Sequence, residues 1–159
     1  MRVAVLTISD SVSRGDREDL SGPAVIAFCR GKNWEVVTSL RVADDPADIR
    51  QQLRELADKS RVDLILTTGG TGLGPRDNTP EATQAVIERI VPGIAEEMRR
   101  VGAAKVSTAL LSRAIAGTRH RSIIINLPGS PTGAVESLRA IAHLLPHAIE
   151  VLNGGSHDS

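Results

Sequence analysis

The chain has 159 residues, 41% of them hydrophobic, which is enough for one domain that buries its own core. Its 19 basic and 19 acidic residues cancel, so no bulk charge would draw it to nucleic acid or to a membrane surface. One phenylalanine, one tryptophan and no tyrosine leave few platforms on which bases could stack, which argues against a nucleic-acid-binding module.

The single cysteine, Cys29, lies in an apolar helical stretch and is expected to be a buried small hydrophobic residue and not a reactive thiol. One cysteine excludes an internal disulfide and any cysteine-based metal cluster, as suits a reducing cytosol. The apolar run at the amino terminus is too short for a signal peptide, and no stretch approaches the ~20 apolar residues that span a bilayer. We therefore expect a cytoplasmic protein without a membrane partner, with one domain over residues 1–155 and a frayed tail at 156–159.

Strand and helix patterns alternate in the first part of the chain. Residues 3–8 and 34–42 are predicted strands, and residues 21–30 are a predicted helix with Pro23 near its start. Asp45 and Pro46 open a second helix, whose apolar residues fall on one face: Ile49, Leu53, Leu56 and Ala57.

The alternation continues in the second part. The predicted elements are a strand at 62–66, a helix at 82–90 that opens with Thr79 as its cap and Pro80 in its first position, a helix at 94–101 after a Pro–Gly break, and a strand at 122–127. The last of these strands is the most apolar and is predicted to be central. Ser130 opens a final helix that continues through Leu145 and is kinked at Pro146. This order predicts an α/β fold in which a mainly parallel sheet lies between two helical layers.

The most informative segment is residues 67–83, with the sequence TTGGTGLGPRDNTPEAT. It follows a predicted buried strand and ends in a predicted helix, and its glycines would let backbone N–H groups approach a ligand closely. In α/β sheets such a loop binds phosphorylated ligands. The segment is not a P-loop, because no Gly-Lys-Ser/Thr follows the glycines, and it lacks the Gly-x-Gly-x-x-Gly dinucleotide fingerprint.

Polar residues and a Pro–Gly turn follow the predicted carboxyl ends of four strands, where ligands gather in sheets of this kind. These residues are Ser9, Asp10, Asp44, Asp45, Thr71, Arg76, Asp77, Asn126, Pro128, Gly129 and Ser130. Several aspartates beside glycine turns indicate a cleft for a phosphate-bearing ligand with Mg²⁺, which prefers carboxylate and phosphate oxygens.

Most of these residues have a structural alternative. Asp10 and Asp77 could each cap a turn, although we favour a functional role for Asp77 because it directly follows the glycine loop. Asp45 and Ser130 are suited to be helix N-caps, and the helix after Ser130 could also hold an anion. Asn126 ends an apolar strand, where a buried amide could brace the following turn.

Asp44 has no capping role assigned, so a functional role and a solvated turn are equally open on spacing alone. The four histidines show no ligand spacing and are expected to be surface or packing residues: His120, His143, His147 and His157.

Several separated motifs, in the right order over nearly the whole chain, together resemble the MogA/MoaB family. These are the segment 67–83, Ser9-Asp10 with Ser21-Gly22-Pro23, Ala43-Asp44-Asp45, Leu111-Ser112-Arg113 and Asn126-Leu127-Pro128-Gly129-Ser130-Pro131. That family comprises molybdopterin adenylyltransferases of molybdenum cofactor synthesis and includes the G domain of gephyrin.

The resemblance implies a three-layer α/β/α sandwich and the Mg²⁺-dependent transfer of AMP from ATP to molybdopterin, with release of pyrophosphate. By position, the two essential, metal-binding aspartates would be Asp44 and Asp77. This chain has Ala43 where the family usually has proline, which could loosen the Asp44 turn while leaving the carboxylate in place.

The remaining site residues are also implied by the resemblance. The pterin and phosphate pocket would be lined by Gly69, Gly70, Thr71, Gly72, Ser107, Ser112, Asn126, Pro128, Gly129 and Ser130, with Ser9 and Asp10 on the same rim. Arg76 and Arg113 would be the cationic helpers, and for Arg76 a purely structural ion pair is equally open. The resemblance further implies a homotrimer, with a hexamer as the alternative, and the molybdate-inserting enzyme as a downstream partner.

Other functions are weighed against this one. A MoaB-type accessory protein would bind molybdopterin without turnover, and the intact pair of aspartates favours the enzyme. Competence-damage proteins and molybdate-inserting enzymes share a related domain but carry further domains, which we do not expect in a chain that ends at Ser159. A dinucleotide-dependent oxidoreductase is the least supported, since its fingerprint is absent.

Overall fold

A computed structural model describes residues 1–155, so the predicted tail at 156–159 and His157 lie outside the described residues. The chain forms a six-stranded sheet in the order β2-β1-β3-β6-β5-β4. The strands are β1 (Arg2–Ile8), β2 (Glu35–Val42), β3 (Leu64–Thr68), β4 (Arg89–Ile90), β5 (Ala116–Arg119) and β6 (Ser122–Leu127). The helices are α1 (Asp10–Ser13), α2 (Ser21–Gly31), α3 (Pro46–Asp58), α4 (Thr79–Gln84), α5 (Pro92–Ala103), α6 (Pro131–Ile141) and α7 (Leu145–Leu152), with 3₁₀ turns at Ser107–Leu111 and Ala142–Leu144.

The sheet is parallel from β2 through β6 and antiparallel at the β6–β5–β4 edge. Alternate residues of the central strands face opposite helical layers, as the pleat requires. Val5, Leu66 and Ile125 pack with the helices α2, α5, α6 and α7, whereas Leu6 and Ile65 pack with α3 and α4. The predicted three-layer α/β/α sandwich with a mainly parallel sheet is confirmed.

Buried polar groups in this fold are satisfied. Within residues 1–155, every buried side-chain nitrogen or oxygen has a hydrogen-bond partner. Cys29 is fully buried, as predicted, and burial raises the pKa of its thiol to about 12. No helix within the same range combines the length and the apolar character that crossing a bilayer requires.

Two helix starts confirm the capping signals. Asp45 accepts hydrogen bonds from the N–H groups of Ala47 (2.8 Å) and Asp48 (3.3 Å) at the start of α3. Ser130 accepts one from Gly133 (3.0 Å) at the start of α6. Each side chain satisfies N–H groups that the first helical turn leaves free, and in both helices a proline follows directly.

The helix predicted at 82–90 is wrong in its second half. The helix α4 ends at Gln84, because the following backbone pairs with β5, whose short sequence AGTR gave no strand signal. Glu88 N–H donates to Thr118 O at 2.7 Å, and the strand β4 pairs antiparallel with β5. Sheet pairing therefore overrides the helical periodicity here.

The prediction that Thr79 caps α4 is also wrong. The N-cap position belongs to Asn78, whose side chain makes no capping hydrogen bond. The hydroxyl of Thr79 instead donates to the carbonyl of Gly69 at 2.8 Å, so it ties the helix start back to the glycine loop.

The final helical segment breaks earlier than predicted. The helix α6 ends at Ile141, a 3₁₀ turn follows, and α7 begins at Leu145 with Pro146 in its first turn. Pro146 has no N–H to donate to the carbonyl of Ala142 and its ring crowds that carbonyl, so a continuous helix is interrupted in the turn before Pro146.

Candidate active site

Two neighbouring cavities open where the parallel strands end. The carboxylate cavity, of about 470 Å³, is lined by Ser9, Asp19, Asp44, Gly70, Asp77 and Gly129, among others. The apolar cavity, of about 630 Å³, lies between the glycine loop, α5, the Ser107–Leu111 turn and α6. Ser130 lines both cavities, so the two spaces meet at the amino end of α6.

The turns after β1 and β2 are tied together by a reciprocal pair of aspartates. The N–H of Asp10 donates to Asp44 Oδ2 at 3.0 Å, and the N–H of Asp44 donates to Asp10 Oδ1 at 3.0 Å. Asp44 and Asp77, which are 33 positions apart in sequence, line the same cavity, so the fold brings the predicted carboxylates together.

The electrostatic environments of Asp10 and Asp44 differ. Burial raises the pKa of Asp44, and the charges of Asp10 and Asp77 add to this effect. Desolvation also acts to raise the pKa of Asp10, but the amide of Asp44 and the guanidinium of Arg76 outweigh it and hold that pKa below its usual value. Arg76 contacts both carboxylate oxygens of Asp10 at 3.0 Å. The structure thus favours the ion-pair alternative for Arg76, whose side chain is otherwise largely exposed.

Glycine is required in the loop because the carboxylates approach it so closely. Gly70 has a φ of 69°, and a Cβ there would collide with Thr79 Oγ1 and lie 3.1 Å from Asp44 Oδ1. A Cβ on Gly72 would lie 2.8 Å from Asp77 Oδ2. The loop therefore leaves room for Asp44 on one side and Asp77 on the other.

Asp77 also has the turn-capping contact that was its structural alternative. Its Oδ2 accepts a hydrogen bond from Gly74 N–H at 2.8 Å, and its own N–H donates to Gly74 O at 3.0 Å. Within residues 1–155, no donor is bonded to Asp77 Oδ1 or to Asp44 Oδ1. Each carboxylate thus has one oxygen held by backbone and one oxygen available to a ligand.

The apolar cavity is lined mainly by aliphatic side chains. Ala95 and Met98 of α5 form one wall, and Leu111 lies at the rim together with the exposed Leu73 and Val106. Polar groups come from Thr71, Ser112, Ser130 and Thr132, and the lining also includes two charged side chains, Arg99 and Glu136. A space of this size and character accepts a planar heterocycle with hydrogen-bonding edges.

Arg113 holds the glycine loop from outside. Its Nε donates to Gly72 O at 2.8 Å, its Nη2 donates to Asp77 O at 2.7 Å, and its Nη1 contacts both carboxylate oxygens of Glu81 at 2.8 and 2.9 Å. All three nitrogens of the guanidinium thus bind protein atoms, so in this structure Arg113 braces the loop.

The other predicted site residues lie at different distances from the cavities. Asn126 is fully buried, with its amide donating to Thr67 and Thr83 and its oxygen accepting from Ile115 N–H. Its role is structural, but it joins β3, α4 and the residue before β5 and does not brace the turn that follows it. Pro128 lines the apolar cavity and Gly129 the carboxylate cavity. Ser107 is exposed in the 3₁₀ turn and lines neither of them.

Sequence reasoning missed Asp19, which lies in the floor of the carboxylate cavity. Its side chain is 3% exposed and accepts from Thr7 Oγ1 (2.9 Å) and from Gly22 N–H in the first turn of α2 (2.9 Å). A Cβ on Gly22 would lie 2.5 Å from Asp19 Oδ2, so this glycine is needed for the contact. The capping spacing between Asp19 and Gly22 could have identified it.

The carboxylates do not form a closed metal site by themselves. Across the described part of the chain, no group of three or more His, Cys, Asp or Glu side chains could hold a metal ion. Asp44 and Asp77 instead supply two carboxylates, a donor set that suits Mg²⁺ when phosphate oxygens and waters complete its shell.

Comparisons with known proteins agree with this geometry. Residues 4–147 match the family described as a probable molybdopterin binding domain. The chain is similar to the molybdopterin adenylyltransferase of Helicobacter pylori strain 26695, with 40% identity over 157 residues that cover 97% of this chain and 89% of that protein. It is 36% identical over 169 residues to the molybdopterin adenylyltransferase of Escherichia coli K12, covering 97% of this chain and 86% of that protein.

Solved structures give the same result for the fold. The molybdopterin biosynthesis enzyme MoaB from Thermus thermophilus superposes with a TM-score of 0.91 at 50% identity, covering 96% of each chain.

Proposed function

The chain belongs to the family of probable molybdopterin-binding domains of molybdenum cofactor biosynthesis, and from this premise we propose that it is a molybdopterin adenylyltransferase. The proposed reaction transfers AMP from ATP to molybdopterin with the help of Mg²⁺ and releases pyrophosphate. The observation that carries the proposal is the pair Asp44 and Asp77, each with a free carboxylate oxygen, facing a glycine loop between two cavities.

The two cavities suit the two substrates. We place the phosphates of ATP in the carboxylate cavity, where the amino end of α6 and the glycine loop offer backbone N–H groups. We place the pterin of molybdopterin in the apolar cavity, against Met98 and beside the hydroxyls of Ser112 and Ser130. Because Ser130 lines both spaces, ligands in the two cavities would bring their phosphates close together.

Asp44 and Asp77 are the residues that would hold Mg²⁺. A carboxylate whose pKa is raised by burial and by two neighbouring carboxylates gains from a bound cation, so this environment fits the metal. When bound, Mg²⁺ would neutralise charge on the phosphates of two mutually repelling anions.

The chemistry requires positioning more than proton transfer. A terminal phosphate oxygen of molybdopterin forms a bond to the α-phosphorus of ATP, and the bond from that phosphorus to the oxygen shared with the β-phosphorus breaks, so that this oxygen leaves as part of pyrophosphate. The attacking phosphate is already ionised at neutral pH, so no strong general base is needed. The loop N–H groups and the amino end of α6 would stabilise charge that develops on the transferred phosphoryl oxygens.

The direct test is incubation of the pure protein with molybdopterin, ATP and Mg²⁺, followed by mass detection of adenylyl-molybdopterin. We expect stoichiometric formation of the adenylylated product and pyrophosphate. Molybdopterin that binds without forming this product would support the alternative, a non-catalytic MoaB-type accessory protein.

We also propose a homotrimeric assembly, with a hexamer as the alternative, in the cytoplasm. Four large apolar side chains are 54–67% exposed and would gain from burial against a second copy: Leu73, Val106 and Leu111, which line the apolar cavity, and Leu110, which precedes Leu111 in the chain. A monomeric mass by light scattering at micromolar concentration would contradict this assembly. The molybdate-inserting enzyme remains the expected recipient of the product.

A further inference from the structure

Arg99 lies on α5, one turn before the helix ends, and projects towards the segment that carries Arg113. Its Nη1 donates to the carbonyls of Ser112 (3.2 Å) and Ala114 (2.8 Å). These two carbonyls flank Arg113 in the sequence, so one guanidinium nitrogen holds the backbone on both sides of that residue. None of the sequence motifs contains Arg99.

Arg113 passes this constraint on to the glycine loop. Its backbone N–H donates to Thr71 O at 2.8 Å, and its side chain contacts Gly72 O and Asp77 O. Arg113 therefore hydrogen-bonds to the loop on both sides, at residues 71–72 and at Asp77. The carboxylate of Asp77 lines the carboxylate cavity.

The starting point of this chain of contacts is rigid. The helix α5 is anchored in the core by Ile94, Ala95 and Met98, all of which are buried. Arg99 itself lines the apolar cavity beside Ala95 and Met98, so its contacts through Arg113 join that cavity to the carboxylate cavity.

We infer that Arg99 is a positioning residue for Asp77, acting through the 112–114 segment and Arg113. Without its two hydrogen bonds, the carbonyls of Ser112 and Ala114 lose their donor and the base of Arg113 is no longer fixed. The contacts from Arg113 to Gly72 and Asp77 then weaken, and the loop opens more often. Groups that hydrogen-bond directly to a metal ligand typically contribute about 10–100-fold to metal affinity or activity, and Arg99, which acts through Arg113, is expected at the lower end of that range.

The test compares Arg99→Gln with Arg100→Gln by hydrogen exchange of the substrate-free protein. Arg100 is the matched control, since it follows Arg99 on the same helix but its exposed side chain pairs with Glu97 of α5 itself. In Arg99→Gln we expect the amides of Gly74 and Asp77 to exchange about tenfold faster. In Arg100→Gln we expect these amides to exchange at the parental rate. In Arg99→Gln we expect the amides of the buried strand β6 to keep the parental rate as well.

Arg99→Lys supplies a rescue, because its ammonium can still donate to both carbonyls and should restore part of the protection. If Arg99→Gln does not fold, Arg99→Met serves the same comparison by keeping the aliphatic stem and removing only the donors. Parental exchange at residues 71–79 in either folded variant would overturn the inference. A uniform rise over the whole chain would also overturn it, because it would show general destabilisation.

Only the expected effect of Arg99 on turnover rests on the proposed function; its expected effect on the loop does not. In Arg99→Gln the Mg²⁺ concentration required for half-maximal turnover should rise about tenfold, whereas Arg100→Gln should match the parent. Hydrogen exchange involves no substrate, so its result stands even if the parental protein does not adenylylate molybdopterin. An unchanged Mg²⁺ response alongside faster loop exchange would limit Arg99 to a structural role and overturn its assignment to the site.

Discussion

Carboxylates cluster at both ends of the central sheet, and the two environments shift the pKa values of Asp44 and Asp58 in opposite directions. At the carboxyl ends of the parallel strands, Asp44 and Asp77 line a cavity, and burial raises the pKa of Asp44. At the other end lies the hairpin cluster, defined here as Asp58, Glu88, Arg119 and His120. In that cluster Arg119 contacts both oxygens of Asp58 at 2.9 Å, and this ion pair lowers the pKa of Asp58.

The contrast separates a structural carboxylate from one kept available for a ligand. In the hairpin cluster, Arg119 also donates to Val86 O, and His120 Nε2 lies 3.1 Å from Asp58, so the charge of Asp58 is matched by the protein itself. Arg17 lines the carboxylate cavity and Arg76 is bound to Asp10, but within residues 1–155 no cationic side chain forms an ion pair with Asp44. The first arrangement stabilises the fold, and the second favours binding a cation from solution.

The largest effect is expected when a carboxylate of the carboxylate cavity loses its charge, and the quantity affected is turnover. Asp44→Asn and Asp77→Asn keep the size of the side chain and one acceptor oxygen but remove the charge proposed to hold Mg²⁺. We expect adenylylation to fall on the order of 10²-fold or more, as when one electrostatic stabiliser is removed. Molybdopterin binding should persist, because the apolar cavity is assigned to the pterin. The measurement is product formation by mass detection beside equilibrium binding of molybdopterin.

Asp58→Asn is the matched control for these two variants, because it removes the same charge from the other end of the sheet. Its turnover should remain near the parental rate. Parental turnover in Asp77→Asn would show that the metal assignment is wrong, and unfolding of both cavity variants would show that their carboxylates only cap turns.

A smaller effect is expected from Gly72→Ala, which retains every charged group but displaces the carboxylate of Asp77. The new methyl would lie 2.8 Å from Asp77 Oδ2, so the carboxylate must shift away from its bond to Gly74. We expect the Mg²⁺ concentration required for half-maximal turnover to rise about tenfold, which is the lower end of the loss seen when the support of a metal ligand is disturbed. Gly93→Ala on α5 is the control, since a Cβ there meets nothing within 4 Å. Equal Mg²⁺ responses in both variants would mean that Asp77 does not bind the metal.

The sequence was sufficient for the parallel half of the fold and for the position of the site. Long apolar strands and capped helices are local signals, and the rule that ligands bind beyond strand ends located Asp44 and Asp77 in one cavity. It was insufficient at the antiparallel edge, because β5 is a four-residue strand of small and polar residues and β4 has only two residues. Their pairing depends on long-range contacts that no local pattern encodes.

Within the site, the sequence predicted which residues lie there better than it predicted what each residue does. Arg113 was expected to be a cationic helper and instead braces the loop. For Arg76 both roles were open, and the structure shows the ion pair with Asp10. Spacing cannot reveal this difference, because the partners of Arg113 lie 32 to 41 positions away. Arg99 was missed because its partners lie 13 and 15 positions away and meet it only in the folded chain, whereas Asp19 has a local signal in its capping spacing to Gly22.

The hairpin cluster should contribute a modest stability that depends on pH. Asp58→Asn removes a partly exposed bidentate ion pair, and we expect the free energy of unfolding in urea to fall by about 0.5–1 kcal/mol near neutral pH. The folded-state pKa of Asp58 is below its ordinary value of 3.8, so this stability is present above that value. It is lost as the pH falls through the lower folded-state value, and parent and variant should then converge. A constant difference down to the lowest pH would show that the charge of Asp58 is not its source.

Asp44 should behave with the opposite sign, and its effect on stability is the smallest of the series. Its folded-state pKa lies above the ordinary value of 3.8, so the folded state binds the proton more tightly than the unfolded chain. Ionised Asp44 therefore costs stability, and this cost develops as the pH rises from the ordinary value to the raised one and stays constant above it. Without metal at neutral pH, Asp44→Asn should unfold at the same urea concentration as the parent or at a slightly higher one.

Saturating Mg²⁺ and ATP should reverse that order, because ligands that bind only the folded parent add stability that the variant cannot gain. The difference between parent and Asp44→Asn would then change sign on adding Mg²⁺ and ATP, whereas the difference for Asp58→Asn would not. A metal-free Asp44→Asn that is as destabilised as Asp58→Asn would show that Asp44 serves mainly to tie the two turns through the amide of Asp10. The two carboxylate groups would then share one structural role, and the contrast between the ends of the sheet would fail.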